Sequence, residues 1–337
     1  MPTVLDVAKR AGVAPITVSR VINNSGYFSQ ATKERVEAAV RELGYIPNTL
    51  ARGLRSKQTK TLALIVTDIT NPYFTLMARG VEDAAGNSDY SVVYCNTDES
   101  EMKEEKYANL LAQRQIDGAL LVPSGGNVRT IKFLLSNDIM VVALDRRVSG
   151  VEIDCVRSDS EGGAWSLMRL LIDLGHKRIA MITGPQDVST SVDRVAGYQR
   201  ALRESGLIEN EIVYYGEFNQ QIGYELTKQA MSHLPKPTAI FGANNFITIG
   251  IIKALQDLKM SVPGDVSVVG FDDLPESMLL SPFLTVAAQP AYEMGRMATE
   301  LLLMRISEKR NGGYQELVLP TEIIERESIG SIGNGGI

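Results

Sequence analysis

From Thr61 onward the sequence alternates short, nearly continuous apolar runs with longer stretches of helical period. TLALIVTD, YSVVYCNTD, GALLVPS, IMVVALD, RIAMITG, TAIFGANN and VSVVGFDD are separated by segments such as SEMKEEKYANLLAQRQ. A strand that is apolar on both faces must be covered on both, and parallel strands need crossovers long enough to be helices. The pattern therefore predicts parallel sheets with helices on each side, and it continues far enough for two doubly wound sheets. A length of 337 residues suits two or three domains better than one core. The change of lobe is expected near residues 158–163, with crossings back near Gln289 and Pro320. That gives a body over 61–330, with lobe 1 at about 61–160 and 290–319 and lobe 2 at about 161–289 and 320–330. Residues 331–337 read as a flexible tail without apolar heptads.

The first 60 residues differ in both charge and pattern. They hold ten Lys/Arg against four Asp/Glu, whereas the remainder holds 24 against 36, so a net charge of −6 conceals a basic head on an acidic body. Only the head is suited to a polyanion. Val4, Val7, Ala8 and Ala11 recur on one helical face, with Thr3 as cap and Asp6 in the first turn; Gly12 ends the run. APITVSRVIN follows, with Val18, Val21 and Ile22 inward and Ile16, Ser19, Arg20 and Asn23 outward. A third helix is expected over SQATKERVEAAVRELG, capped by Ser29 and terminated by Gly44. Three short helices on one small core, over residues 1–46, make a helix-turn-helix unit. The outer face of the second helix combines an arginine, two hydroxyls and an amide, which is what a major-groove reader needs; a solvated polar face has similar composition.

Residues 47–60 connect the head to the body. Asn48 can cap a helix over TLARGLRS, but a segment this short and containing Gly53 is marginal alone in water. The opening residues contain Asp6 and no uninterrupted apolar stretch, and no later run approaches bilayer length, so a cytoplasmic chain without a membrane span is expected. Cys95 and Cys155 lack metal or disulfide spacing, and His176 and His233 lack ligand spacing. GxGxxG and GxxxxGK[ST] are absent, and Asp272 and Asp273 are strand neighbours pointing to opposite faces. Neither a metal, a cofactor nor a catalytic residue is expected.

The strings VLDVAKRAGVAPITVSRVIN and YIPNTLARGL resemble the lactose-repressor (LacI/GalR) family of bacterial transcription regulators. The resemblance extends through essentially the whole chain. It implies Pro15, Ile16 and Arg20 at base edges and Thr17, Ser19, Asn23 and Tyr45 nearer the phosphates. Ala14 and Pro15 depart from the usual start of such a helix; Pro15 and Ile16 offer apolar contact to thymine methyls, which leaves Arg20 to select guanine. The resemblance also implies a hinge helix, capped by Asn48, that pairs with its dimer mate in the minor groove. There Leu54 would wedge into the central base step, Ala51 allow close approach, and Arg52 and Arg55 face phosphates. A homodimer on a pseudo-palindromic operator follows.

The polar tags TNPYF, LDRR, SVDRVAGY, GEFN, ANN, GFDD and AAQP, read as strand ends, could each be structural; their joint order resembles ribose-type periplasmic sugar-binding proteins. On that resemblance Asn71, Tyr73, Phe74, Asp145, Arg146, Arg194, Phe218, Asn244, Asp272 and Gln289 contact an effector, with Asp145, Arg146, Arg194, Asn244 and Asp272 holding hydroxyls. Tyr73 stands where phenylalanine is usual and Asn245 where aspartate is common, which leaves the sugar open. Ribose or a similar monosaccharide is the first expectation, a phosphorylated sugar or a purine the alternative. The residues do not decide whether the effector releases or promotes DNA binding, nor whether a phosphoprotein co-regulator takes part. A sugar-binding transport protein would account for the body but not for the head.

Overall fold

The computed structural model describes residues 2–46, 58–126, 128–274, 283–308 and 313–332. The chain divides into two units, Met1–Thr59 and Lys60–Ile337. In the first, α1 (Val4–Ala11), α2 (Pro15–Ile22) and α3 (Gln30–Leu43) are set by their ends. Thr3 Oγ1 accepts the Asp6 N–H at 3.3 Å while the Asp6 carboxylate accepts the Thr3 N–H at 2.8 Å, so two orphan donors of the first turn are satisfied reciprocally. Ser29 Oγ accepts the Thr32 N–H at 3.2 Å, and Gly12 and Gly44 close α1 and α3 at φ 66° and 60°. Helix α2 begins at Pro15, which fits the first turn because its missing N–H would be unpaired there. Val7, Ala8, Ala11, Val18, Val21, Val36 and Ala39 form the buried core, with Tyr45 packed at its edge. Asn48, Ala51, Arg52, Leu54 and Arg55 lie outside the described residues.

In the second unit, β1 (Thr61–Val66), α4 (Pro72–Gly86), β2 (Ser91–Asn96), α5 (Glu101–Gln113), β3 (Gly118–Leu121), α6 (Arg129–Ser136), β4 (Met140–Leu144) and β5 (Asp154–Ser158) follow one another. Next come α7 (Ser160–Asp173), β6 (Ile179–Thr183), α8 (Ser189–Glu204), β7 (Ile212–Tyr215), α9 (Gln220–Ser232), β8 (Ala239–Gly242), α10 (Asn245–Asp257), β9 (Ser267–Phe271) and β10 (Thr285–Ala288). Helix α11 (Ala291–Glu308), β11 (Glu316–Leu319) and β12 (Glu322–Ile324) complete the series. The strands make two sheets, β11-β5-β4-β3-β1-β2 and β12-β10-β9-β8-β6-β7. Among the described residues every strand pairing is parallel except β10 with β12, which is antiparallel. Strands β5, β7, β10, β11 and β12 are not among the apolar runs noted above: β5 carries Asp154 and Arg157, and the others are short strands of three or four residues.

Both faces of the central strands of each sheet are buried, which is why those strands read as continuous apolar runs. Leu62, Leu64 and Val66 of β1 enter one core and Ala63 and Ile65 the core on the opposite face. Likewise Ile179 and Met181 of β6 face one way and Ile182 the other. Helix α11 returns from the second lobe to the first and inserts Met294, Ala298 and Leu302 under β3 and β4. Its close crossing with α4 requires Gly80, where a Cβ would stand 2.0 Å from the Tyr292 carbonyl oxygen. Among the described residues no helix is long and apolar enough to cross a membrane, and no group of three or more His, Cys, Asp or Glu is placed to hold a metal. Cys95 and Cys155 are buried thiols, pushed up by burial to about 11 and about 12.

Candidate functional site

The carboxyl ends of the two sheets face a common cleft of about 480 Å³. All ten residues expected there line it: Asn71, Tyr73, Phe74, Asp145 and Arg146 from the first lobe; Arg194, Phe218, Asn244 and Asp272 from the second; Gln289 from the crossing between them. The reasons are local. Asp145 follows β4 and Asp272 follows β9, and both have left-handed backbones, at φ 64° and 68°. In each case the aspartate N–H still bonds the neighbouring strand, Asp145 to Val156 O at 2.9 Å and Asp272 to Ala287 O at 3.0 Å. The chain therefore turns sharply at the last rung and aims a carboxylate into the cleft. Asn71 and Asn244 reach it as helix caps, accepting the N–H groups of Tyr73 and Ile247 at 3.0 and 2.8 Å. SVDRVAGY is not a strand end: Arg194 lies within α8 and reaches the cleft from a helix. Phe218 is seated against Gly184, where a Cβ would meet its ring at 2.3 Å.

Few of these polar groups are idle. The Tyr73 hydroxyl donates to Asp145 Oδ1 at 2.7 Å, and burial together with the Asp145 and Asp272 charges holds that phenol well above its ordinary pKa, so it remains a donor. Gln289 donates its amide N–H to Asp272 Oδ1, and its Oε1 accepts from Ser158 Oγ. Burial pushes the Asp272 carboxyl up to about 6; Arg194 and the Gln289 bond pull it down, and Asp145 adds to the rise. Arg194 Nη1 donates to Ala243 O at 2.7 Å, its guanidinium carbon lies 3.9 Å from the Phe271 ring centroid, and its buried Nε has no protein partner. Arg146 is engaged at both terminal nitrogens by Glu99, at 2.6 and 2.7 Å.

Contacts also bridge the lobes around the cleft. Asn71 and Asn245 exchange amide hydrogen bonds at 3.1 and 2.8 Å. Arg147, just beyond Arg146, pairs with Asp193 of α8 through both terminal nitrogens, and its backbone N–H donates to Ser189 Oγ at 3.0 Å.

The head presents a separate surface. On α2, Pro15, Ile16 and Arg20 are exposed and Thr17 and Ser19 half-buried, with Asn23 exposed at its C-cap and Tyr45 half-buried beyond α3. Ile16 is 51% exposed, high for an isoleucine one turn from a packed core, and it stands beside Arg20 on the same helical face.

Residues 3–48 match the model of the bacterial regulatory proteins of the lacI family, and residues 168–329 that of the periplasmic binding protein-like domain. The chain is 36% identical to a ribose operon repressor of Halalkalibacterium halodurans over 328 residues, covering 97% of each chain. It is 32% identical to the transcriptional repressor PurR of Photobacterium profundum over 331 residues, covering 98% of this chain and 99% of that one. The chain belongs to the lacI family of bacterial regulatory proteins. It is similar to the lac repressor dimer bound to operator and the anti-inducer ONPF at a TM-score of 0.85 and 27% identity, covering 98% of this chain and 99% of that one.

This lacI-family chain is a DNA-binding transcriptional regulator with a periplasmic-binding-protein-like body, and the relatives above are regulators rather than enzymes. Sequence reasoning missed Glu99, Ser158, Arg147 and Asp193 at or beside the cleft. Glu99 stands in an acidic stretch, DESEMKEE, that reads equally well as the start of α5, and only its position at the end of β2 sets it apart. Arg147 had a visible signal, the second arginine of LDRR, but its partner lies 46 residues away.

Proposed function

We propose that the protein is a cytoplasmic, homodimeric repressor of carbohydrate-metabolism genes whose affinity for a pseudo-palindromic operator is set by a small sugar in the cleft. Residues 1–46 read DNA, 47–60 form the hinge, and 61–330 bind the effector and dimerise. Arg20 reads a base edge, with Pro15 and Ile16 beside it and Thr17, Ser19, Asn23 and Tyr45 nearer the phosphates. Asn48, Ala51, Arg52, Leu54 and Arg55 serve the hinge. The observation that carries the effector reading is the pair of inward carboxylates, Asp145 and Asp272, at matching strand ends of the two lobes, faced by Arg194 and Asn244 and covered by Tyr73, Phe74 and Phe218. Hydroxyl groups need both acceptors and donors, and the C–H faces of a sugar ring suit aromatic walls. On this reading the cleft binds without turnover, in keeping with relatives that are regulators.

A monosaccharide bridging the lobes favours one lobe arrangement over another, and it shifts operator affinity only by that difference. Calorimetry of the full chain against a panel of monosaccharides that includes ribose tests this, with operator affinity measured in parallel. Arg194→Ala should weaken sugar binding by about 1.5–3 kcal/mol while ligand-free operator binding stays near wild type. No heat with any sugar, and no shift in operator affinity, would reject the sugar while leaving the DNA-binding assignment intact.

A further inference from the structure

Arg146 and Arg194 enter the same cleft and each keeps a buried Nε without a hydrogen-bond partner, but they differ at their terminal nitrogens. Arg146 Nη1 donates to Glu99 Oε2 at 2.6 Å and to Pro123 O at 3.0 Å, and Nη2 donates to Glu99 Oε1 at 2.7 Å, so the fork of its two terminal nitrogens is filled by the protein itself and only Nε is left without a hydrogen-bond partner. The arginine side chain is 5% exposed and that of Glu99 37%. Glu99 is delivered by a turn that its sequence does not favour: Asp98 and Glu99 are consecutive left-handed residues at φ 50° and 56°, neither of them glycine. The turn is pinned on both sides. Asp98 accepts from Asn96 Nδ2 at 2.6 Å and pairs with Lys103, and the Ser100 N–H bonds Thr97 O at 3.0 Å. A left-handed backbone at two successive non-glycine positions, ending in a bidentate pair to a buried arginine, makes this turn a candidate for a role in the cleft.

A buried arginine with a free fork, in a cleft also lined by Asn71 and Asn244, the N-caps of α4 and α10, would be an anion site, since a planar guanidinium matches phosphate and helix amino ends favour negative charge. Glu99 fills that fork. Asp68, Asp98, Glu101, Asp187 and Glu217 line the rest of the cleft, alongside the inward Asp145 and Asp272. We propose that Glu99 is the charge-selecting residue of the cleft: by occupying the Arg146 fork it cancels an intrinsic phosphate site and confines the effector to uncharged polyols. The proposal rests on the sugar reading above for the words "effector" and "polyol", but the cancelled anion site stands independently of it. Arg146, on this view, orients Glu99 and the wall beneath Phe218, whose ring centroid is 5.4 Å from the guanidinium carbon, and does not hold a ligand hydroxyl with its fork.

The test uses the full chain with D-ribose, D-ribose 5-phosphate and inorganic phosphate as probes, read by calorimetry and by thermal shift at constant ionic strength. In the wild type, inorganic phosphate gives no saturable binding, and ribose 5-phosphate binds at least about tenfold more weakly than ribose, the penalty expected for an anion placed against paired carboxylates. Glu99→Gln, which keeps the length of the side chain, gains saturable millimolar phosphate binding and at least about a tenfold increase in affinity for ribose 5-phosphate. Glu99→Asp retains exclusion and serves as the conservative control. If ribose gives no heat in any variant but phosphate binding appears in Glu99→Gln, the charge-selecting role holds and the sugar reading fails. Wild-type protein that binds ribose 5-phosphate as tightly as ribose overturns the proposal without reference to any variant. So does a folded Glu99→Gln protein with wild-type indifference to phosphate.

Discussion

The buried carboxyl of Asp272 makes the stability of the ligand-free body depend on pH in the sense opposite to that of an ion-paired acid. Folding raises its pKa from an ordinary 3.8 to about 6, so the folded chain holds this proton more tightly than the unfolded chain. The contribution to stability is then fully present below the unfolded value and is lost as the pH rises through the folded one. At 1.36 kcal/mol per pKa unit, ionising this group in the folded chain costs about 1.6 kcal/mol at pH 5 and about 3 kcal/mol at pH 7.5, a difference of about 1.4 kcal/mol.

Asp272→Asn isolates that contribution. The amide keeps the Oδ1 that accepts from Gln289 and removes the charge. Urea unfolding between pH 5 and 7.5 can be followed through Trp165, the single tryptophan, which packs at the edge of the second-lobe core. The unfolding free energy of the wild type should fall relative to the variant by about 1.4 kcal/mol across this window, and at pH 7.5 the ligand-free variant should be the more stable protein by up to about 3 kcal/mol. The same variant should bind sugar more weakly, because a hydroxyl donor prefers the carboxylate. Parallel stability curves for the two proteins would refute the reasoning, because they would mean that Asp272 titrates alike in folded and unfolded chains.

Three further outcomes are open to direct measurement. Arg20→Ala should lose about 1–3 kcal/mol on a cognate operator and relax selection at one guanine per half-site, read by competition binding over operator variants. Leu54→Ala, in the segment outside the described residues, should instead reduce operator bending and preference for a deformable central step, seen by gel mobility of permuted sites. Asp193→Asn removes the charge that Arg147 and Arg157 share across the lobes; it should favour the open arrangement, lowering sugar affinity several-fold and enlarging the ligand-free radius of gyration in small-angle scattering. Unchanged affinity and size would exclude that ion pair from control of the cleft.

The architecture was legible wherever burial on both faces wrote itself into composition. Strands β1, β3, β4, β6, β8 and β9 are apolar almost throughout because helices cover them on each side. The three-helix head was legible for another reason: its caps, Thr3 and Ser29, and its terminators, Gly12 and Gly44, are residue types whose local chemistry decides their role. What stayed hidden obeyed neither rule. In β5, Asp154 is 1% exposed, and Arg305 of α11 donates to both of its oxygens, at 2.7 and 2.8 Å, from 151 residues away. A buried ion pair is polar in sequence and core-like in structure, so apolar periodicity misreads the strand that carries it.

The same distinction runs through the cleft. Positions were legible because a parallel sheet delivers whatever follows its strands to one edge, and residues such as Asp145, Asp272 and Asn244 have no core role there that would require a polar group. Partnerships were not legible, because they are settled by backbone turns and by chains far apart in sequence. Tyr73 shows the consequence. As a residue type it promised an aromatic wall with a spare hydroxyl, yet that hydroxyl is bonded to Asp145, so one oxygen of the carboxylate expected to receive a ligand already has a donor. Arg146 repeats the lesson with the opposite sign of charge, since Glu99 fills its fork. A list of residues therefore describes a cleft with two free arginines, whereas in the folded chain Glu99 takes both terminal nitrogens of Arg146, Ala243 O takes one of Arg194, and the Nε of each is buried without a hydrogen-bond partner. The cleft carries many carboxylates beside these few donors, so on the reading proposed above it suits hydroxyl hydrogens better than phosphate oxygens.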